Sequence, residues 1–166
     1  MSFADAFLPE FDQEMKTTRS LLERVPFDSP GWKPHTKSTS LAGLASHVAN
    51  LAGFGAMIAS QPEVDMGSPD AAARSQPQYA NSADLLAAFD TKAKTARDAI
   101  ASLADADTMT PWTLRMGDHV IVSLPRAAAL RTLMMNHIIH HRGQLSVYLR
   151  LNDVLLPSIY GPTADT

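Results

Sequence analysis

Asn136-His137-Ile138-Ile139-His140-His141-Arg142-Gly143-Gln144 places two imidazoles four residues apart inside a strongly apolar run. Four residues of α-helix turn through about 400°, so His137 and His141 share one face. Around this stretch the apolar spacing predicts a long helix, opened by Pro125 and closed near Asn152. Its inward stripe is read as Leu130, Leu133, Met134, His137, His141, Gln144, Leu145 and Tyr148. His140 falls about 60° off that stripe and is expected at its edge.

Three further helices are predicted upstream. The first carries Leu8, Phe11, Met15, Leu22 and Val25 at helical spacing, with Pro9 in its first turn and Pro26 ending it. Residues 28–37, DSPGWKPHTK, read as an irregular connection with Trp32 packed beneath it. Ser38, Thr39 and Ser40 offer caps for a second helix with the stripe Leu44, His47, Leu51, Phe54 and Ile58, which puts His47 towards the core. Gly53-Phe54-Gly55 lacks the third glycine of a dinucleotide fingerprint and reads as a packing feature within this helix. The segment 60–82, rich in Pro, Ser, Gln and Ala, reads as a long surface connection.

A third helix starts near Ser82, with Asp84 in its first turn, and runs through Leu85, Phe89, Ala93, Ile100 and Leu103. From Trp112 to Leu124 the period changes to two around Gly117-Asp118, which predicts a small β-hairpin or extended loop. The expected fold is therefore all-α, a four-helix bundle in a single domain over residues 1–166, with that hairpin between helices three and four.

Composition removes several functional classes. Fourteen basic against 17 acidic residues, without long like-charged blocks, offer no electrostatic footprint for nucleic acid or an anionic membrane. Zero cysteines exclude disulfides, protein thiolates and cysteine-ligated metals, leaving His, Asp and Glu as ligands. The opening MSFADAFLPEF lacks a basic n-region, and the expected location is cytoplasmic.

His47, His137 and His141 each sit on an apolar stripe, where an imidazole without a partner costs about 1–3 kcal/mol. Taken singly, each is best read as a core histidine bonded to a carbonyl or an Asn. Taken together, the four-residue pair and a third histidine on another core stripe favour three neutral imidazoles converging on one divalent ion, with positions open for water or substrate. Asn50, Asn136 and Gln144 are candidates to accept the second ring N–H of these histidines. Arg142 either anchors an anionic substrate group or pairs with an acid on a neighbouring helix, the commoner arrangement. Gly143 suggests close packing, and His35 and His119 lie in connections without an assigned role.

Familiar chemistries are absent. No Glu completes an H-E-x-x-H motif, the fourth helix carries no Glu for a di-iron site, and there is neither a G-x-S-x-G elbow nor a P-loop.

Ser46-His47, the run His137 to Gln144, and the tail Pro157-Ser158-Ile159-Tyr160-Gly161-Pro162-Thr163-Ala164-Asp165 together resemble the DinB family of the DinB/YfiT-like bundles. The resemblance spans nearly the whole chain. It implies a four-helix bundle, commonly a homodimer, in which residues matching His47, His137 and His141 bind a divalent metal such as nickel, zinc or iron. Better-understood relatives are transferases or isomerases that use low-molecular-weight thiols such as bacillithiol or mycothiol.

An ion held by three imidazoles lowers the pKa of a bound thiol or water, supplying a nucleophile at neutral pH for attack on a small electrophile. Since the chain has no cysteine, any thiol must arrive as a cosubstrate. The expectation is thus a metal-dependent thiol transferase. The alternatives are a non-enzymatic metal-binding or stress-response protein, or a metal-dependent hydrolase, for which no dedicated general base is evident.

Overall fold

The first helix begins five residues before the Leu8 expected from its apolar spacing. α1 spans Phe3–Leu22, with Ser2 as its N-cap. Ser2 Oγ accepts from the Asp5 N–H at 3.1 Å, and Asp5 returns the contact by accepting from the Ser2 N–H at 2.9 Å. This reciprocal pair satisfies two amides that a helix start leaves orphaned. Pro9 consequently sits inside the helix rather than in its first turn. In the computed structural model, residues 1–68 and 77–165 are described; residues 69–76 of the predicted surface connection, and Thr166, lie outside the described residues.

The described chain is mostly helical, with a small three-stranded sheet. The expected second helix is divided into α2, Leu41–Leu51, and α3, Phe54–Ser60. The division falls at Ala52-Gly53, where the amides of both residues turn back to the Asn50 carbonyl. Ser40 is the α2 cap, accepting from the Gly43 N–H at 3.1 Å. By length and composition Leu41–Ser60 could cross a membrane, but 67% of its most apolar stretch is buried inside the protein.

α4 spans Ser82–Ala101, capped by Asn81, and buries Leu85, Phe89 and Ile100. Leu103 lies beyond its end yet still packs on the core. α1 and α2 each pack against α4 and against α6 (Asn136–Arg150), while α3 lies along α4. The α3 contact is close because residue 55 is glycine: a Cβ there would meet Met134 Cε at 3.1 Å and Ala96 Cβ at 3.2 Å. Phe7, Phe11, Val48, Phe89, Leu130 and Ile138 lie in the shared core.

The hairpin expected around Gly117-Asp118 is present as β2, Pro111–Met116, and β3, His119–Pro125, paired antiparallel. Gly117 adopts φ +58°, the left-handed conformation glycine takes without Cβ strain. The predicted surface connection also holds a strand, β1 (Glu63–Asp65), parallel to β2. Three residues are too few to show alternation, although Val64 is buried and Asp65 Oδ1 accepts from the amides of Gly67 and Gly117.

The predicted last helix is also interrupted. It begins as α5 (Arg126–Ala129), widens into a π-helical turn over Leu130–Met135, and resumes as α6. A π turn closes its hydrogen bonds over five residues instead of four, so it shifts the helix face that follows. The buried positions are accordingly Leu130, Met134 and Met135, then Ile138, Arg142, Leu145 and Leu149. The inward stripe expected through His137, His141, Gln144 and Tyr148 is thus displaced by one position. Those four residues occupy the flank of α6, partly or largely open to solvent.

Candidate metal centre

That flank faces α2. The ring centroids of His47 and His137 are 5.3 Å apart, those of His47 and His141 4.6 Å, and those of His137 and His141 4.7 Å. One ring nitrogen from each falls within 4.8 Å of the other two. Helical spacing brings His137 and His141 together, and α2–α6 packing supplies His47. Among the described residues no carboxylate joins this group.

The three side chains are half-buried, and His47 and His141 line a cleft of about 720 Å³, a volume suited to a small molecule. Pro34, Ser38 and Thr39, which precede α2, line it together with Gln144, Val147 and Tyr148 of α6. Trp32 packs edge-on against Tyr148 with centroids 5.7 Å apart, holding the connection to α6.

Burial pushes the His137 imidazole below its ordinary pKa, and its histidine neighbours His47 and His140 push the same way. A hydrogen bond to the Leu133 carbonyl, inside the π-helical turn, opposes them and engages one ring nitrogen. Burial also lowers the His141 pKa, against an opposing hydrogen bond that the ring donates to Gln144. Both rings are therefore neutral at pH 7, the state in which imidazole has a lone pair for a metal.

The donor set suits a borderline divalent ion. Three neutral nitrogens match nickel, zinc or iron better than calcium or magnesium, which prefer oxygen. Metal–imidazole bonds of about 2 Å allow donors up to about 4 Å apart, so modest ring rotation would close the cluster onto an ion.

Among the candidate acceptors, Gln144 is in place: its Oε1 lies 2.7 Å from His141 Nδ1, and its Nε2 lies 3.1 Å from His140 Nε2. Asn50 is engaged elsewhere, accepting from Tyr79 OH at 2.8 Å and Lys92 Nζ at 2.6 Å while donating to the Pro77 carbonyl. Its bond to Lys92 turns it towards α4. Asn136 is exposed at the start of α6. His140 is exposed, as its edge position implied, with its ring centroid 4.9 Å from that of His141.

Arg142 is 1% exposed and pairs with Glu14 of α1, Nη1 to Oε2 at 2.6 Å, so the ion-pair reading holds and the substrate-anchor reading does not. Glu14 interrupts the α1 apolar stripe and so reads as a surface acid in the sequence, although its spacing from Phe7 and Phe11 places it on the buried face. Tyr160 completes the network: its OH accepts from Arg142 Nη2 at 2.6 Å and donates to Glu14 at 3.0 Å. Asp165 likewise binds Arg150 and the Leu156 amide, so the tail is held to α6 through both of these motif residues. Gly143 has open space where a Cβ would stand, and no close packing explains it. Neither His35 nor His119 joins the cluster.

The fold has solved counterparts. A DinB-like protein from Bacillus cereus superposes with a TM-score of 0.70 at 20% identity, covering 94% of this chain and 97% of its own. A DinB-like protein from Bacillus subtilis gives 0.67 at 19%, covering 92% and 96%. No curated protein matches the sequence. The DinB family model matches residues 1–165, and the chain belongs to the DinB family.

Proposed function

We propose that this protein is a divalent-metal-dependent enzyme, with His47, His137 and His141 as ligands, that activates a low-molecular-weight thiol for attack on a small electrophile. The observation that carries this reading is the convergence of three imidazoles, two of them on the wall of a cleft large enough for a small molecule. When bound there, a divalent cation stabilises thiolate at neutral pH. His47, His137 and His141 would hold it, while the burial of His137 and His141 keeps protons from competing for their lone pairs. Leu44, Val147 and Tyr148 provide apolar surface for the organic part of a ligand, and Ser38 and Thr39 provide hydroxyls.

The mutual packing of α1, α2, α4 and α6 supports the four-helix-bundle arrangement as part of the same reading. A homodimer is the assembly we propose with it, on the family resemblance; sedimentation velocity of the full chain tests that, and a monomer at all concentrations would refute it.

The decisive experiment is metal analysis of protein purified without a His-tag, comparing wild type with His137→Ala and His141→Ala. The wild type should contain or take up about one equivalent of nickel, zinc or iron, and each variant should lose it. A wild type that takes up none refutes the proposal. A panel of thiols with model electrophiles then separates catalysis from binding: a metal-dependent rise in melting temperature without turnover, and without thiol perturbation of a cobalt-substituted site, would favour the non-enzymatic metal-binding alternative.

A further inference from the structure

His140 and His141 are consecutive, their ring centroids are 4.9 Å apart, and only one of them joins the cluster with His47 and His137. Helix geometry explains part of this choice, because His141 repeats the face of His137 after four residues. It does not determine which nitrogen His141 offers. The Gln144 amide lies between the two rings and contacts both.

An amide oxygen only accepts and an amide nitrogen only donates. With Gln144 Oε1 at 2.7 Å from His141 Nδ1, that nitrogen must carry the proton, which leaves the lone pair of neutral His141 on Nε2. With Gln144 Nε2 at 3.1 Å from His140 Nε2, the amide donates and the lone pair on that nitrogen is occupied. Reversing the amide would invert both assignments. His141 would then carry its proton on Nε2 and have its lone pair tied to Gln144, leaving it no free donor atom.

We infer that Gln144 is a positioning residue that selects between the adjacent histidines, holding His141 in the tautomer that can ligate through Nε2 and withholding His140 by occupying its Nε2. This inference rests on the proposed metal function of the cluster. The hydrogen bonds also account for a polar side chain whose contacts, one turn along an exposed helix flank, are both to histidines.

The test uses the full-length protein in two states. In metal-free wild type near pH 8, long-range proton–nitrogen NMR should find His140 and His141 each as a single Nδ1–H tautomer. Gln144→Leu should convert both to mixtures in which the Nε2–H form is prominent. With zinc or cobalt, Gln144→Leu should bind about 10–100-fold more weakly, the usual effect of losing a partner behind a metal-bound histidine. Gln144→Glu, which keeps an acceptor for the His141 Nδ1–H, should restore affinity to within a few-fold of wild type and restore the His141 tautomer.

Unchanged tautomers in Gln144→Leu overturn the inference, as does a Gln144→Glu variant as weak as Gln144→Leu. A merely structural role for Gln144 would change the melting temperature without changing the tautomers. If wild type binds no metal, the proposed function fails, while the metal-free spectra still decide what Gln144 does to the two rings. If wild type binds metal but Gln144→Leu leaves the tautomers and affinity unchanged, only the role of Gln144 fails.

Discussion

Arg142 and Glu14 form a buried ion pair, Nη1 to Oε2 at 2.6 Å, which fastens α6 to α1 at the residue next to His141. Arg142 Nη1 also reaches Thr18 Oγ1 and the Glu14 carbonyl, both at 3.2 Å, so the guanidinium is bonded within the protein rather than to water. A buried charge without its partner costs more than a hydrophobic replacement of the pair. Glu14→Gln and Arg142→Met should each destabilise the protein by about 3–5 kcal/mol, and the double variant should be less destabilised than their sum. Equilibrium urea unfolding of the metal-free variants measures this. Purely additive effects would show that the two groups are not coupled.

The histidine pair was legible because its spacing matches the helix repeat, and the hairpin because Gly117-Asp118 divides two alternating runs. The exact face was not legible. Apolar side chains at 130, 133, 134 and 138–139 fit a regular helix as well as one with a π turn, and the difference lies in backbone hydrogen bonds. Burial of Arg142 was hidden for another reason: arginine reads as a surface residue until its carboxylate is placed opposite it by tertiary packing. Asn50 was drawn away from the cluster by Tyr79 and Lys92, residues distant in sequence.

Acid should weaken the metal-free fold through His137 and His141. Burial lowers both pKa values below the ordinary 6.5, so between that value and the folded pKa the unfolded chain binds more protons than the native protein. Their contribution to stability is present above about pH 6.5 and falls away as pH drops towards the folded pKa values. Urea midpoints measured from pH 8 downwards should decline more steeply in wild type than in His137→Asn/His141→Asn. Parallel pH profiles would refute this assignment. Metal affinity should fall only at more acid pH, as the lowered folded pKa values are reached, because protons and metal compete for the same lone pairs.

Gly55 tests the close contact between α3 and α4. A single Cβ would already meet Met134 Cε at 3.1 Å and Ala96 Cβ at 3.2 Å. The methionine can shift, whereas the alanine Cβ is fixed to the α4 backbone. Branching at this position adds further atoms in the same space, so Gly55→Val should cost about 1–3 kcal/mol by overpacking. Urea unfolding should show a lower midpoint with an unchanged m-value. A neutral valine would mean that α3 can move away from α4 without loss.

The two tryptophans can report whether a ligand enters the histidine cleft. Trp32 is only partly buried and packs edge-on to Tyr148, a cleft-lining residue, at 5.7 Å. Trp112 is fully buried on β2 against Phe54, also at 5.7 Å. A small aromatic thiol such as phenylmethanethiol, added to the zinc-loaded protein, should therefore alter the emission of Trp32 and leave that of Trp112 unchanged. The fluorescence response should persist in Trp112→Phe and disappear in Trp32→Phe, while calorimetry shows that both variants still bind the thiol. A response that follows Trp112 instead would place the ligand outside the cleft, because Trp112 is fully buried and does not line it.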